Sequence, residues 1–494
     1  MKKASQDLFE LIKSLTKSEK RYFHLYANRH VLGGKNNYLT LFEYIGRLTT
    51  YDEEAVKAHF EGHKFVDYFS VAKRQLYQYV LESLHAFHAG KSVSMQVHQL
   101  VHQAEVLLQK GLLLQSRKLL RKAEARARAA EAYAALLQVY ALERRVLSRM
   151  GLANVPEGRI AKLYQQEQYC LQVLADEKAY AHLLWEVYQL HARRGAARSN
   201  KELDKLEQLA ANPLLADAAR APTFAARLNF HQIHATLYFM QGEVEQAKQH
   251  NQAIIQHFHQ QSSQIAELPE RYFSALKNYL VDCLVQGQHE EIDQTIAWIR
   301  HQIKQPAYKS MTRLQVDIFC LTHTLQLNSY INQGLFLAGK ELLPEVERGL
   351  KAYQRHIKKQ DRITFYHLLA YFYFGMDDFK NALKWVNLIL NDSERQLLQH
   401  VYAFARLFNL MIHFELGNFD ILASLLRASS RYLQKVDQLH EIEQLFIRYF
   451  RKILNAPVNR HTQIWKELRQ ELLTLTQQPH HQQLLQYFNL IPWL

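Results

Sequence analysis

The stretches YFMQGEVEQAKQHNQAII (Tyr238 to Ile255) and YFYFGMDDFKNALKWVNLIL (Tyr371 to Leu390) decide the fold. Each is an aromatic, apolar run that reaches a glycine and is followed by a second amphipathic run. Glycine adopts the left-handed conformation that commonly ends a helix without a side-chain clash. Each stretch therefore reads as two helices joined by a short turn. The same punctuation returns at Gly111, Gly151, Gly195, Gly242, Gly287, Gly334, Gly375 and Gly417, at steps of 40, 44, 47, 45, 47, 41 and 42 residues. A period of this length marks a stacked helical array, because one hairpin cannot bury its apolar face alone.

Around Gly242 a small residue stands seven positions before the turn (Ala235), an aromatic four before (Tyr238) and an alanine five after (Ala247). With Asp377 in the turn position, Ala370, Tyr373 and Ala382 repeat the pattern, and Gly375 falls two residues early. Ala104 and Ser116 keep part of it around Gly111, whereas Pro156, Asn200, Ile292 and Leu422 depart from it in the slot after the turn. In these residues the chain resembles the tetratricopeptide repeat. Its spacing is longer than the family's usual 34 residues and approaches that of HEAT and armadillo arrays. The resemblance covers residues 93–478. It implies an all-α fold: an α-solenoid of stacked helical hairpins (TPR-like), following an N-terminal helical domain.

Composition agrees. Among 494 residues there are 16 glycines and 9 prolines, and 48% of the chain is apolar. Strand-like alternation is absent, so the reading is all-α. Pro344 falls inside a helical pattern and should start or kink a helix there. Hairpins are expected at 93–130, 131–176, 177–212, 221–262, 268–304, 308–358, 362–392, 394–435 and 436–477. Residues 1–92 lack the repeat and read as four or five short helices, the second opened by a capping box at Thr16-Lys-Ser-Glu19. Ser199-Asn-Lys-Glu202 and Ser393-Glu-Arg-Gln396 read as further boxes. The apolar segment 479–494 is expected to cap the open end of the array.

The start of the chain has no signal-peptide core, and no run of about 18 apolar residues suggests a membrane span. Cys170, Cys283 and Cys320 are isolated and odd in number, which fits a reducing compartment. The cytoplasm is the expected location. Net charge is +14, carried as +4 over residues 1–100, +7 over 101–200 and +3 over the rest.

Catalytic motifs are weak. Gly334-Leu-Phe-Leu-Ala-Gly339-Lys340-Glu341 approaches a P-loop, but Glu341 replaces the Ser or Thr that meets magnesium and a helix precedes it. His59 and His63, and His98 and His102, are spaced four apart, without the further ligands a metal needs. No cofactor is expected. In RKLLRKAEARARAA, Arg117, Arg121 and Arg128 share one helical stripe and Lys118, Lys122 and Arg126 a second. Together they form a candidate polyanion patch against the alternative of a solvated face.

The resemblance implies that first helices line a concave groove. Its positions carry over to Trp185, Gln189 and Arg193; to Gln232, Thr236 and Phe239; to Lys277; to His367, Tyr371 and Phe374; and to Met411 and Phe414. The expectation is a non-enzymatic scaffold or adaptor that grips another protein or peptide segment there. The alternative is a nucleic-acid-associated regulator, with an N-terminal helical binding domain and a sensor array.

Overall fold

A computed structural model describes residues 5–29, 37–90, 92–151, 153, 155–194, 200–309, 311–392, 399–435, 441–475 and 493, without the side chains of 192–194, 200–203, 205, 399 and 400. Every regular element among the described residues is helical, and the helices pack against their neighbours. The capping boxes expected at Ser199 and Ser393, the turn at Gly195 and most of the C-terminal segment lie outside these residues.

The first five helices are α1 (Asp7–Ser14), α2 (Lys17–Asn28), α3 (Asn37–Arg47), α4 (Glu53–His59) and α5 (Phe69–His88). They close around Phe23, Phe42, Ile45, Val56 and Leu76. The capping box of α2 is formed: the Glu19 amide donates to Thr16 Oγ1 at 3.3 Å and the Thr16 amide to Glu19 Oε2 at 2.7 Å. Gly62, at φ +84°, lies just past the end of α4. His59 instead stacks on Tyr44 at 3.9 Å, while His63 lies against Phe60 and Phe65.

By contacts the chain divides into two compact units, Met1–Ala181 with Ala219–Arg227, and His182–Ala218 with Leu228–Leu494. The first unit adds α6 (Val93–Gln109), α7 (Leu113–Ala129), α8 (Tyr133–Met150) and the first part of α9 (Arg159–Arg194). The break expected near residue 176 does not occur. No glycine or proline lies between Arg159 and Arg194, so nothing stops the helix and 36 residues run through.

The second unit contains the rest of α9, α10 (Asn200–Ala210), most of α11 (Phe224–Gln241), α12 (Val244–Gln260), α13 (Ser263–Glu267), α14 (Pro269–Val285) and α15 (His289–Gln302). There follow α16 (Thr312–Asn332), α17 (Leu342–Ala352), α18 (Lys359–Gly375), α19 (Phe379–Leu390), α20 (Gln399–Glu415), α21 (Phe419–Lys435), α22 (Glu441–Leu454) and α23 (His461–Leu475). Pro344 starts a helix rather than kinking one, since it sits in the first turn of α17.

The turns repeat one set of backbone bonds. After α11 the Gly242 amide donates to Phe239 O and the Glu243 amide to Tyr238 O; α14, α16 and α20 close in the same way at Gly287, Gly334 and Gly417. After α18 the pair is Asp377 to Phe374 O and Asp378 to Tyr373 O, with Asp377 at φ +59°. The turn residue there is the aspartate, which the spacing of Ala370 and Ala382 allowed; Gly375, counted among the turn glycines by period, is instead the last residue of α18. Both of those alanines are fully buried, as are Ala104, Ser116 and Ala247.

First helices of the second unit are buried from more than one side. Leu314, Ile318, Leu321 and Leu325 of α16 are buried, and so are Val316, Cys320 and Leu327. A helix apolar all round has packing partners all round.

Candidate functional site

Helix α16 packs between α14 and α18, and α18 packs on α20. Over them lies a groove of about 910 Å³. Phe273, Val281 and Leu284 of α14, Leu321 and Leu325 of α16, Leu368 of α18 and Phe404 of α20 make it apolar. Polar groups stand among them: Lys277, Thr324, Asn328, Asn332 and His367, with Glu270, Arg313, Asp317, Lys358 and Asp361 toward the N-terminal ends of the helices. Arg313 is already engaged, by Asp317 at 2.9 Å and the His356 carbonyl at 2.9 Å. Cys320 also lines the groove. Burial pushes its thiol up to about 12, with Asp361 and Asp317 adding to the shift, so it stays protonated and is a poor nucleophile.

Of the groove residues expected from sequence, Phe239, Lys277 and His367 line it. Thr236 is buried and donates its hydroxyl to the Gln232 carbonyl at 2.8 Å. Gln232 is half-buried beside Asn278. Phe374 is buried against Phe379 and Phe408, and Met411 is fully buried. Tyr371 stacks on Phe408 at 5.8 Å, and burial pushes its phenol up. Phe414 packs among Phe419, Phe450 and Trp465. These aromatic positions are core because α18 and α20 have neighbours on the side that the resemblance leaves open. Trp185 is 66% exposed, and Gln189 is exposed beside it on α9. The Arg193 side chain lies outside the described residues.

Thr324 and Asn328 are the additions, and they were within reach. Ten residues before the turn residue stand Lys277, Thr324 and His367 on three successive first helices, and all three line the groove. The same offset counted from Gly334 identifies Thr324, and the six-residue offset Asn328.

The polyanion patch resolves into two sets. Arg117 Nε lies 3.8 Å from Glu143 Oε1, which Arg159 Nη2 approaches to 2.6 Å; the Glu143 side chain is only 3% exposed. Arg126 Nη1 donates to Gln96 Oε1 at 2.8 Å. Arg128 donates to Glu124 at 3.0 Å and to the Tyr140 hydroxyl at 2.6 Å. Those three arginines have structural partners. Lys118, Arg121 and Lys122 are exposed, and no ion pair holds them among the described residues.

Two other clusters have the residue types of chemistry. His289 Nδ1 lies 2.9 Å from Ser329 Oγ, but Ser329 is 2% exposed and also accepts from Gln333 Nε2, so no substrate reaches it. His231 Nδ1 and His250 Nδ1 are 3.0 Å apart, and His234 stacks on His250 at 4.7 Å. Burial, with the neighbouring imidazoles, depresses His231 and His250 to about 4. Among the described residues no three ligand groups converge as a metal would need.

Comparison with family profiles, with curated proteins and with solved structures returned no match to this chain.

Proposed function

We propose that this chain is a protein-binding scaffold of tetratricopeptide-like hairpins, without catalytic chemistry of its own. In this reading a segment of another protein lies over α14, α16 and α18. The observation that carries it is the groove's make-up: an apolar floor with Lys277, Thr324, Asn328 and His367 set into it. Apolar pockets fix side-chain anchors, and scattered amide and hydroxyl groups pair with a peptide's backbone. The repeated turn bonds support the array, and three buried free thiols support a reducing compartment, the cytoplasm.

The test is site-specific photo-crosslinking in cells, with p-benzoylphenylalanine at Thr324 and, as a control, at the exposed Gln294 of α15. A discrete adduct from Thr324, lost when Asn328→Arg fills the groove at an unchanged melting temperature, is the expected result. Adducts of the same size and yield from Gln294, or adducts indifferent to Asn328→Arg, would remove the groove as the docking site.

A further inference from the structure

We propose that the first unit carries a separate surface for single-stranded nucleic acid, in which the exposed face of α7 holds phosphates and Tyr169 of α9 stacks on a base. The unit contains 29 Lys and Arg against 18 Asp and Glu, so it holds +11 of the chain's +14. Within it the charge is focused further. The facing segments Leu113–Ala129 and 159–172 contain eight cations and two carboxylates. Both carboxylates are engaged inside the fold: Glu124 takes Arg128 and the Tyr140 hydroxyl, and Glu167, 8% exposed, takes Arg144. The field outside α7 is therefore positive, set by Lys118, Arg121 and Lys122. Long-range steering of polyanions follows from such a field.

A solvated helix face would have the same charges, so the neighbouring cleft decides between them. Glu143 of α8 takes both Arg117 of α7 and Arg159 of α9, and residues of α7 and α9 line one cleft. Between the two helices is a shallow cleft of about 240 Å³, lined by Arg128, Lys162, Gln165, Gln166 and Tyr169. Lys162 is exposed and adds a fourth unpaired cation. Tyr169 is 56% exposed, and its ring is braced edge-on by Tyr133 at 6.1 Å. Gln166 also lines the cleft, and its side-chain amide offers both a donor and an acceptor to a base edge or a ribose hydroxyl. The run from Lys118 to Arg128 spans about 15 Å along the helix axis, enough for several phosphates. An acidic peptide would use the cations but leave the exposed ring without a role. A duplex would hide the base faces that Tyr169 needs.

The experiment is fluorescence anisotropy of the full chain with a labelled oligothymidylate of about 20 nucleotides, over a salt series. Binding should weaken linearly in log affinity against log salt. Lys118→Glu, Arg121→Glu and Lys122→Glu together should lower affinity at least about ten-fold and flatten the salt slope by about 2, the loss of three phosphate contacts. Tyr169→Ala should weaken binding by about ten-fold and leave the slope alone. Tyr164→Ala, 60% exposed on the other side of α9, should change nothing. All these positions are exposed, and an unchanged melting temperature verifies that the variants fold. No binding at low salt would overturn the proposal. So would binding indifferent to the triple variant or to Tyr169→Ala, equal affinity for a duplex of the same length, or equal competition by polyglutamate, which would mark an acidic protein as the ligand.

Discussion

The hairpin of α6 and α7 and the hairpin of α18 and α19 each pair a first helix with a second, around small residues at matching positions, but they are filled differently. Ala104, Ala123 and Ala127 bring α6 and α7 close, with leucines and valines around them, and the buried Ser116 hydroxyl donates to the Ala104 carbonyl. Arginines and glutamates then tie the neighbouring helices: Arg117 and Arg159 on Glu143, Arg145 on Glu105 at 2.9 Å. In α18 and α19 the filling is Phe365, Phe372, Phe374 and Trp385, with Phe404 and Phe408 from α20. A turn is decided by a few local residues, whereas the filling is decided by what each face meets. The ion-paired region keeps its remaining cations at the surface, and the aromatic region keeps a groove.

The two regions can be followed separately. All five tryptophans lie in the second unit, so tryptophan fluorescence reports that unit and far-ultraviolet circular dichroism reports both. The largest effect is expected from Phe372→Ala. Phe372 is fully buried, and its removal should cost about 3–5 kcal/mol. The fluorescence midpoint in urea should fall while a second circular-dichroism phase stays put. A single transition that shifts as one would break the comparison between the units.

Overpacking comes next. Ala382→Leu and Ala247→Leu should each cost about 1–3 kcal/mol, because both alanines sit fully buried where paired helices meet. Unchanged thermal stability in both would show that the small-residue slot is not the closest approach. At the matching slot after Gly334 stands Gly339, where an added methyl would overlap the Phe372 ring.

Glu143→Gln should cost about 1–2 kcal/mol, less than a fully buried pair, because Arg117 and Arg159 keep some exposure. The loss should be seen by circular dichroism and not by tryptophan fluorescence. Equal loss in both signals would mean the two fillings are not independent.

Acidity gives a graded effect in the second unit. His231 and His250 fold with values depressed to about 4 from 6.5, so their contribution is present above about pH 6.5 and lost as pH falls through 4. Asp282 runs the other way. Burial raises it from 3.8 to about 7, against the hydrogen bond from Asn251 at 2.6 Å, so its contribution is present at low pH and lost as pH rises through 7. Between pH 7 and 5.5 the term should amount to about 1 kcal/mol for each of the two histidines. The fluorescence midpoint of His250→Gln should be less acid-sensitive than the parent's, and that of Asp282→Asn more stable at pH 8. Parallel pH profiles for parent and both variants would show that these groups do not set the slope.

The smallest effect compares two turns closed by residues other than glycine. Asp377→Gly should stabilise by about 0.5 kcal/mol, since a side chain at φ +59° is strained. Glu131, at φ +52°, should not gain from the same change. Its carboxylate accepts from the Phe224 amide at 2.5 Å and pairs with Arg227 at 3.9 Å. A gain at both positions in urea unfolding would mean those bonds contribute nothing.

The sequence alone determined the helical class, the turns at Gly111, Gly242, Gly287, Gly334 and Gly417, and the small-residue slots at Ala104, Ser116, Ala247 and Ala382. Each depends on residues within about one period, as Ala235, Tyr238, Gly242 and Ala247 do. The distance to Ala370 and Ala382 allowed Asp377 as a turn residue beside Gly375, and the backbone decided for Asp377. Tertiary structure decided which faces stay open. Met411 and Phe374 have groove spacing but are buried, because packed neighbours cover them. Arg117 and Arg128 belong to the basic stripes by periodicity, yet Glu143 and Glu124 hold them. Helix periodicity fixes the side of an element on which a residue stands. Whether that side meets solvent, a carboxylate or a ring depends on which helices pack there, and that choice is made by residues far away in the chain.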